Sequence, residues 1–339
     1  MTMYGVRLDY HCGRIERPLI ECVLPMLDAR PGLALSARVH WSGGHHLILR
    51  HRTMEAAADT ARQLERWVIG APSATTLDAV EFARFATDQA RAEGLCGDPM
   101  PVRANNHVAI EPFEEDAYLG SPLIALARIW FEEATVRPLL HLRAGDHRAM
   151  MMRMQLLLAE VACCYRDGGA ANGVRSLRAH ARNFLAAHPA LEPRFEQAYA
   201  AASPRIAPEI AALLAGRQPA DALHDALIEA GEQLDLLGAD PALLPGAGVH
   251  RLATADEAGQ YPVPPSLARW LSSDVINGAP DKQNAFGRHR TLINFVYAQC
   301  PLLGIAPITR FACAYIAYRA LADAMGLSDT ALEPVRKVA

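Results

Sequence analysis

The stretch from Leu35 to Arg52 constrains this chain more than any other: it can fold only as two short strands around a tight turn. Leu35, Ala37, Val39 and Trp41 recur at a spacing of two, and the returning run from His46 to Arg52 keeps the same period. That spacing brings side chains back to one face of a strand. Gly43-Gly44 stands between the runs and supplies the turn chemistry of a hairpin. On the second strand His46, Ile48, Arg50 and Arg52 share one side, while Leu47 and Leu49 point the other way. Arg38 and His40 share a face of the first. With His40, Trp41, His45 and His46 crowding the turn, this face is richer in arginine and imidazole than a plain structural hairpin needs. It suits a carboxylate, an amide oxygen or a developing oxyanion. An ordinary solvated sheet face has the same pattern. His45 and His46 are adjacent and diverge, and no further ligands are in evidence, so the histidines do not spell a metal site.

The flanks extend the hairpin into a larger unit. Tyr4–His11 alternates, with Tyr4, Val6, Leu8 and Tyr10 on one face and Arg7, Asp9 and His11 on the other. Pro18–Met26 reads as a helix in which Pro25 implies a kink. Thr53–Trp67 reads as a helix with Thr53 as its N-cap. The order β-α-β-β-α is most of a ferredoxin-like split unit. Beyond it come a helix ending near Ala92, a short strand His107–Glu111, and helices over Ser121–Leu140 and Ala149–Arg166. Further helices are expected over Asn183–Ala200, Pro208–Leu214, Ala220–Leu237, Gly287–Cys300 and Pro307–Met325. In the helix over Ser121–Leu140, Leu123, Ala127, Trp130 and Phe131 fall on one apolar side. Pro241–Pro265 is rich in glycine and proline and reads as a connection. The fold class is therefore α+β, with ferredoxin-like elements at the N-terminus and a mostly helical remainder. The chain is expected to be one unit over 1–339, strand-rich over 1–120 and helix-rich over 121–330.

Composition excludes several classes. With 339 residues, 51% of them hydrophobic, the chain can bury a sizeable core. A formal net charge of -4 gives no basic field for nucleic acid. Lys282 and Lys337 are its only lysines, so anions would meet planar guanidinium forks. Seven scattered cysteines without a CxxC pair fit reduced thiols better than a disulfide frame. No signal peptide and no apolar run of membrane-spanning length is present, so a cytoplasmic protein is expected. There is no Rossmann fingerprint and no P-loop.

Three more groups of residues could carry chemistry. In Val174–Leu185, Ser176, Arg178 and His180 alternate, which suits a strand or extended loop; on a helix Ser176 and His180 would instead stack at i,i+4. A Ser176/His180 hydrolase lacks a nucleophile elbow and an acid partner. Glu111, Glu114, Glu115 and Asp116 form a carboxylate run that could bind a cation or line the surface. Arg288–Arg290, Asn294, Tyr297 and Arg310 bring tyrosine and arginine together near the end of the chain, where a tyrosine hydroxyl can orient amides or pass protons.

Four stretches carry a resemblance to a known family. They are Val6–His11 with Pro25; His40-Trp41 with Gly44, His46, Leu47, Leu49 and Arg50, similar to HWxxGPHLRLR; Ser176, Arg178, His180 and Ala181, similar to SxRSHAE; and Asn294, Tyr297, Leu303-Gly304, Pro307 and Arg310, similar to a closing N..Y....LG..P..R run. In this order they resemble the thiopeptide-type bacteriocin biosynthesis proteins, relatives of the C-terminal elimination domain of lantibiotic dehydratases. Ile48 replaces the first arginine of the RLR step, and the last 30 residues hold no histidine. Both departures point away from glutamate elimination and toward the pyridine synthases of thiopeptide pathways. The resemblance implies a formal [4+2] aza-cycloaddition between two dehydroalanines of a modified precursor peptide, with loss of water and of the leader. It implies catalytic roles for Arg50, Arg52, His46, Tyr297 and Ser176. Substrate contacts are implied for His40, Trp41, Arg178, His180, Asn294 and Arg310. No metal or other cofactor is called for. The expected partner is a precursor peptide with a leader and a dehydroalanine- and azole-containing core; nucleic acid and membrane are not expected, and a homodimer is allowed. A glutamate eliminase and a noncatalytic precursor-binding subunit are the alternative readings.

Overall fold

The structure, a computed structural model, describes residues 3–12, 15–40, 43–92, 101–113, 122–165, 169–237 and 280–332. Trp41, Cys96, the carboxylates Glu114, Glu115 and Asp116, and the Pro241–Pro265 connection lie outside these residues. Chain contacts divide the molecule into two compact units. The first comprises Met1–Glu115, Glu132–Ala144 and Pro301–Ile305, and the second Asp116–Phe131, Gly145–Cys300 and Ala306–Ala339.

The first unit is built on four antiparallel strands: β1 (Met3–Asp9), β2 (Ser36–His40), β3 (His46–His51) and β4 (His107–Phe113). Their order in the sheet is β2-β3-β1-β4. That is the split β-α-β arrangement expected from the element order, completed by β4. The hairpin turns as expected, with positive φ at both Gly43 (75°) and Gly44 (111°). The alternation sends Val6, Leu8, Leu47 and Leu49 to one face, where all four are buried. On that face lies α3 (Met54–Gly70), capped by Thr53 as predicted, whose side chain accepts from Ala56 N–H. The helix around Pro25 resolves into α1 (Glu16–Pro18), a π-helical turn (Leu19–Val23) and α2 (Leu24–Ala29). Pro25 has no N–H to continue the α ladder, and the wider turn, in which Leu24 N–H reaches Leu19 O, takes up the break. The fourth helix of this unit, α4, spans Ala79–Ala92.

The polar face differs from a solvated one. Arg7, Asp9, His11, His46 and Arg50 are all buried. The cover includes Glu132 on α5 (Pro122–Ala144), whose carboxylate binds arginines from β2 and β3.

The second unit is helical: α6 (His147–Cys163), α7 (Ala170–Ala187), α8 (Glu192–Leu214), α9 (Ala222–Leu237), α10 (Pro280–Ala298) and α11 (Pro307–Ala324). Three expectations need correction. Val174–Leu185 is part of α7, not a strand or extended loop; its apolar residues Val174, Leu177, Ala181 and Leu185 recur at helical spacing and are buried. The break between α7 and α8 falls at His188–Leu191, so Asn183–Ala200 is not one helix, and α8 continues through Pro204 and Pro208. The side of α5 read as apolar is split: Ala127 and Phe131 are buried, whereas Leu123 and Trp130 are each 41% exposed. α6 and α7 approach so closely that a Cβ at Gly173 would collide with the backbone of Ala162.

Candidate functional site

In the first unit the strand register assembles the polar face. Arg7 lies opposite Ile48 and Asp9 opposite His46, while Arg38 and Ser36 face Ile48 and Arg50 from β2. Arg50 is wholly enclosed, and its Nη2 lies 3.4 Å from Glu132 Oε2. Arg38 Nη2 lies 3.2 Å from the other oxygen of the same carboxylate. Both guanidinium groups rest on the Phe113 ring, at 5.1 and 5.2 Å from its centroid. Arg7 closes a second pair with Asp9, Nη2 to Oδ1 at 2.7 Å. Glu132 gives no sign in the sequence, where it reads as a polar position of an apolar helix. Only folding reveals that it joins two strands.

His46 is buried beside Gly44, its Nδ1 2.9 Å from the carbonyl oxygen. Burial, with Arg7 adding to it, lowers its pKa to about 3, so the ring is neutral. Its Nδ1 then carries the hydrogen and donates. His40 ends β2 at the surface, its ring 5.7 Å from that of His46. Arg52 lies just past β3, exposed, with Nη2 2.5 Å from Glu133 Oε2. The sheet therefore brings Arg50, His46, Arg38 and Arg7 together and leaves Arg52 outside. Among the described residues no group of three or more His, Cys, Asp or Glu side chains is arranged to hold a metal.

In the second unit the packing of α7, α10 and α11 gathers His180, Arg290, Tyr297 and Arg310. Arg290 Nη1 is 2.6 Å from His180 Nε2, and His180 Nδ1 is 3.2 Å from the Tyr297 hydroxyl. Arginine has no acceptor, so Nε2 is the bare nitrogen and Nδ1–H donates to Tyr297. Burial holds the His180 pKa well below its usual value, with Arg290, His289 and Arg310 reinforcing that. Burial also raises the pKa of Tyr297, against the pull of Arg310 and Arg290. The result is a neutral imidazole donating to a protonated phenol whose own hydrogen stays available. Such a phenol can offer its hydrogen to a bound group while the imidazole N–H steadies the oxygen that loses it.

The neighbouring predicted residues separate. Ser176 is buried one helical turn before His180 on α7. Both nitrogens of His180 face other partners, so the helix does not make it a base for Ser176. Arg178 reaches Asp329 at 3.3 Å. Asn294 is on α10, one turn before Tyr297, half-buried. Arg310 lies in the first turn of α11 with its guanidinium 4.8 Å from the Tyr297 ring centroid. Arg290 belongs to the sequence cluster but carried no assigned role; the signal that locates it is the i,i+4 and i,i+7 spacing to Asn294 and Tyr297.

No family model and no curated protein matches this chain. Among solved structures, the chain is similar to the pyridine synthase TbtD from thiomuracin biosynthesis: TM-score 0.66 at 20% identity, covering 97% of this chain and 100% of that one. It is also similar to the crystal structure of TsrL, with TM-score 0.56 at 17% identity and 99% of both chains covered. At these identities the likeness is one of fold.

Proposed function

We propose that this chain is a pyridine-forming macrocyclase of thiopeptide maturation. It would join two dehydroalanines of a modified precursor peptide by formal [4+2] aza-cycloaddition. The observation that carries the reading is the end-to-end likeness in fold to TbtD, described as a pyridine synthase. The arrangement of His180 and Tyr297 supports it.

One dehydroalanine supplies the alkene. The other supplies the aza-diene through the iminol tautomer of its amide. Water and then the leader, as an amide, leave to give the aromatic ring. Most of the barrier is entropic, because two distant alkenes of a long peptide must meet. What remains is proton traffic. A phenol kept protonated at neutral pH donates to a leaving hydroxyl, the Nδ1–H of neutral His180 steadies the charge left on the phenol oxygen, and that oxygen takes up the hydrogen the same elimination removes from the substrate. Arg290 fixes which nitrogen of His180 faces Tyr297. Asn294, Arg178 and Ser176 are assigned to the surrounding pocket. Arg50 and His46 give the polar sheet face its charge and shape, and His40 and Arg52 contribute polar groups at its margins.

The test is incubation with a dehydrated, azole-containing precursor followed by mass spectrometry. Pyridine formation predicts a macrocycle shortened by the leader and a released leader amide. Offered a glutamylated precursor instead, a product lighter by the mass of a glutamate would make the chain an eliminase. A peptide that binds and emerges unchanged would make it a presenting subunit.

A further inference from the structure

Arg310 is placed unlike three other half-buried arginines of its unit. Arg153, Arg182 and Arg319 each hold a carboxylate: Glu160 and Asp221 for the first, Glu192 for the second, Glu196 for the third. Arg310 makes no ion pair and no side-chain hydrogen bond among the described residues. Its Nε is closed off from solvent with no acceptor. Its guanidinium instead lies against two rings, 4.8 Å from the Tyr297 centroid and 5.0 Å from that of Phe311. Arg290, in range to act on both His180 and Tyr297, adds a second positive charge. A partly desolvated cation without an anion is costly. Aromatic contact recovers part of that cost. It supplies no hydrogen-bond acceptor to the guanidinium N–H groups, and a guanidinium meets a planar carboxylate through two parallel bonds.

We propose that Arg310, seconded by Arg290, forms a carboxylate-binding subsite, and that its ligand is an acidic group of a peptide: a glutamate or aspartate side chain, or a free C-terminus. The carboxylate seats on the N–H edge of Arg310 beside Tyr297 and so fixes where the peptide lies relative to that hydroxyl. The subsite goes beyond the cycloaddition reading, because binding is measured without turnover; either can fail while the other stands.

The experiment is calorimetric titration of the full chain with capped tripeptides. One carries a central glutamate, one a central glutamine, and a third has the glutamine centre with a free C-terminus. The glutamate peptide is expected to bind at least about tenfold more tightly than the fully capped glutamine peptide, the scale of a hydrogen bond to a charged group. Preference for the third peptide over the second instead assigns the ligand to a C-terminus, which the proposal includes. Arg310→Lys, which keeps the charge but not the fork, should lose most of the preference, and Arg310→Met all of it. Arg205→Gln on α8, where the guanidinium hydrogen-bonds its own helix at Ala201 O, should keep it. Removing an uncompensated cation should leave the melting temperature of Arg310→Met unchanged or higher. Equal affinity for all three peptides, or an undiminished preference in the folded Arg310→Lys protein, overturns the proposal. So does tighter binding of inorganic sulfate than of either acidic peptide, which would make the site one for tetrahedral anions.

Discussion

The carboxylate of Glu132 tests how the sheet is held, and Glu132→Gln is the perturbation. In the native chain this side chain serves Arg50 at 3.4 Å and Arg38 at 3.2 Å. Arg50 has no access to solvent, whereas the Arg38 side chain is 17% exposed. The isosteric amide keeps the shape and one acceptor but removes the negative charge between two cations. Breaking a buried pair while leaving one charge behind costs about 3–5 kcal/mol. Arg38 adds less, because water still reaches it. Replacing Arg50 by methionine as well removes the stranded charge. The double variant should therefore lie closer to the native protein than Glu132→Gln does, with a coupling of about 1–3 kcal/mol in the cycle. Urea unfolding gives the magnitudes, and amide exchange of β1–β4 shows that the loss is in the sheet. Changes that simply add, or a Glu132→Gln cost below about 1 kcal/mol, would refute the view that this carboxylate holds the polar face.

Other expectations follow from the same contacts. Acid should destabilise the fold well above the carboxylate range. His46 and His289 are buried and neutral with pKa values lowered to about 3, so their contribution is complete above about pH 6.5 and falls away as pH drops toward 3. Each then removes about 1.4 kcal/mol per pH unit below about pH 6.5, because the unfolded chain takes up the proton first. Urea midpoints flat between pH 7 and 4.5 would contradict this. Gly173→Ala should cost about 1–3 kcal/mol by forcing α6 and α7 apart, since backbone lies against the missing Cβ; an unchanged melting temperature would deny the close contact. Tyr297→Phe should lower pyridine formation by about 10²–10⁴-fold with little loss of peptide binding, as expected for a proton donor. Arg50→Lys should cost stability along with activity; loss of activity with native stability would give Arg50 a direct part in the chemistry.

The hairpin was legible because a period of two and a Gly-Gly turn leave few alternatives, and the flanking elements gave the split sheet without any tertiary contact. Thr53 as an N-cap and Pro307 in the first turn of a helix were equally local. The burial of the polar sheet face was not, because alternation assigns residues to faces and says nothing of what covers them. Glu132 lies 82 residues from Arg50 in sequence, and only the folded sheet and helix bring them together. Ser176, Arg178 and His180 could be read at two periods, and packing against α6 and α11 selected the helical one. The sequence by itself determined the α+β class, the hairpin and the clustering of Asn294, Tyr297 and Arg310 near the end of the chain. The tertiary structure decided which charges are matched and which nitrogen of His180 bears the proton. It also decided that Arg310 meets aromatic rings instead of a carboxylate, because each of these depends on side chains that approach only when distant helices pack.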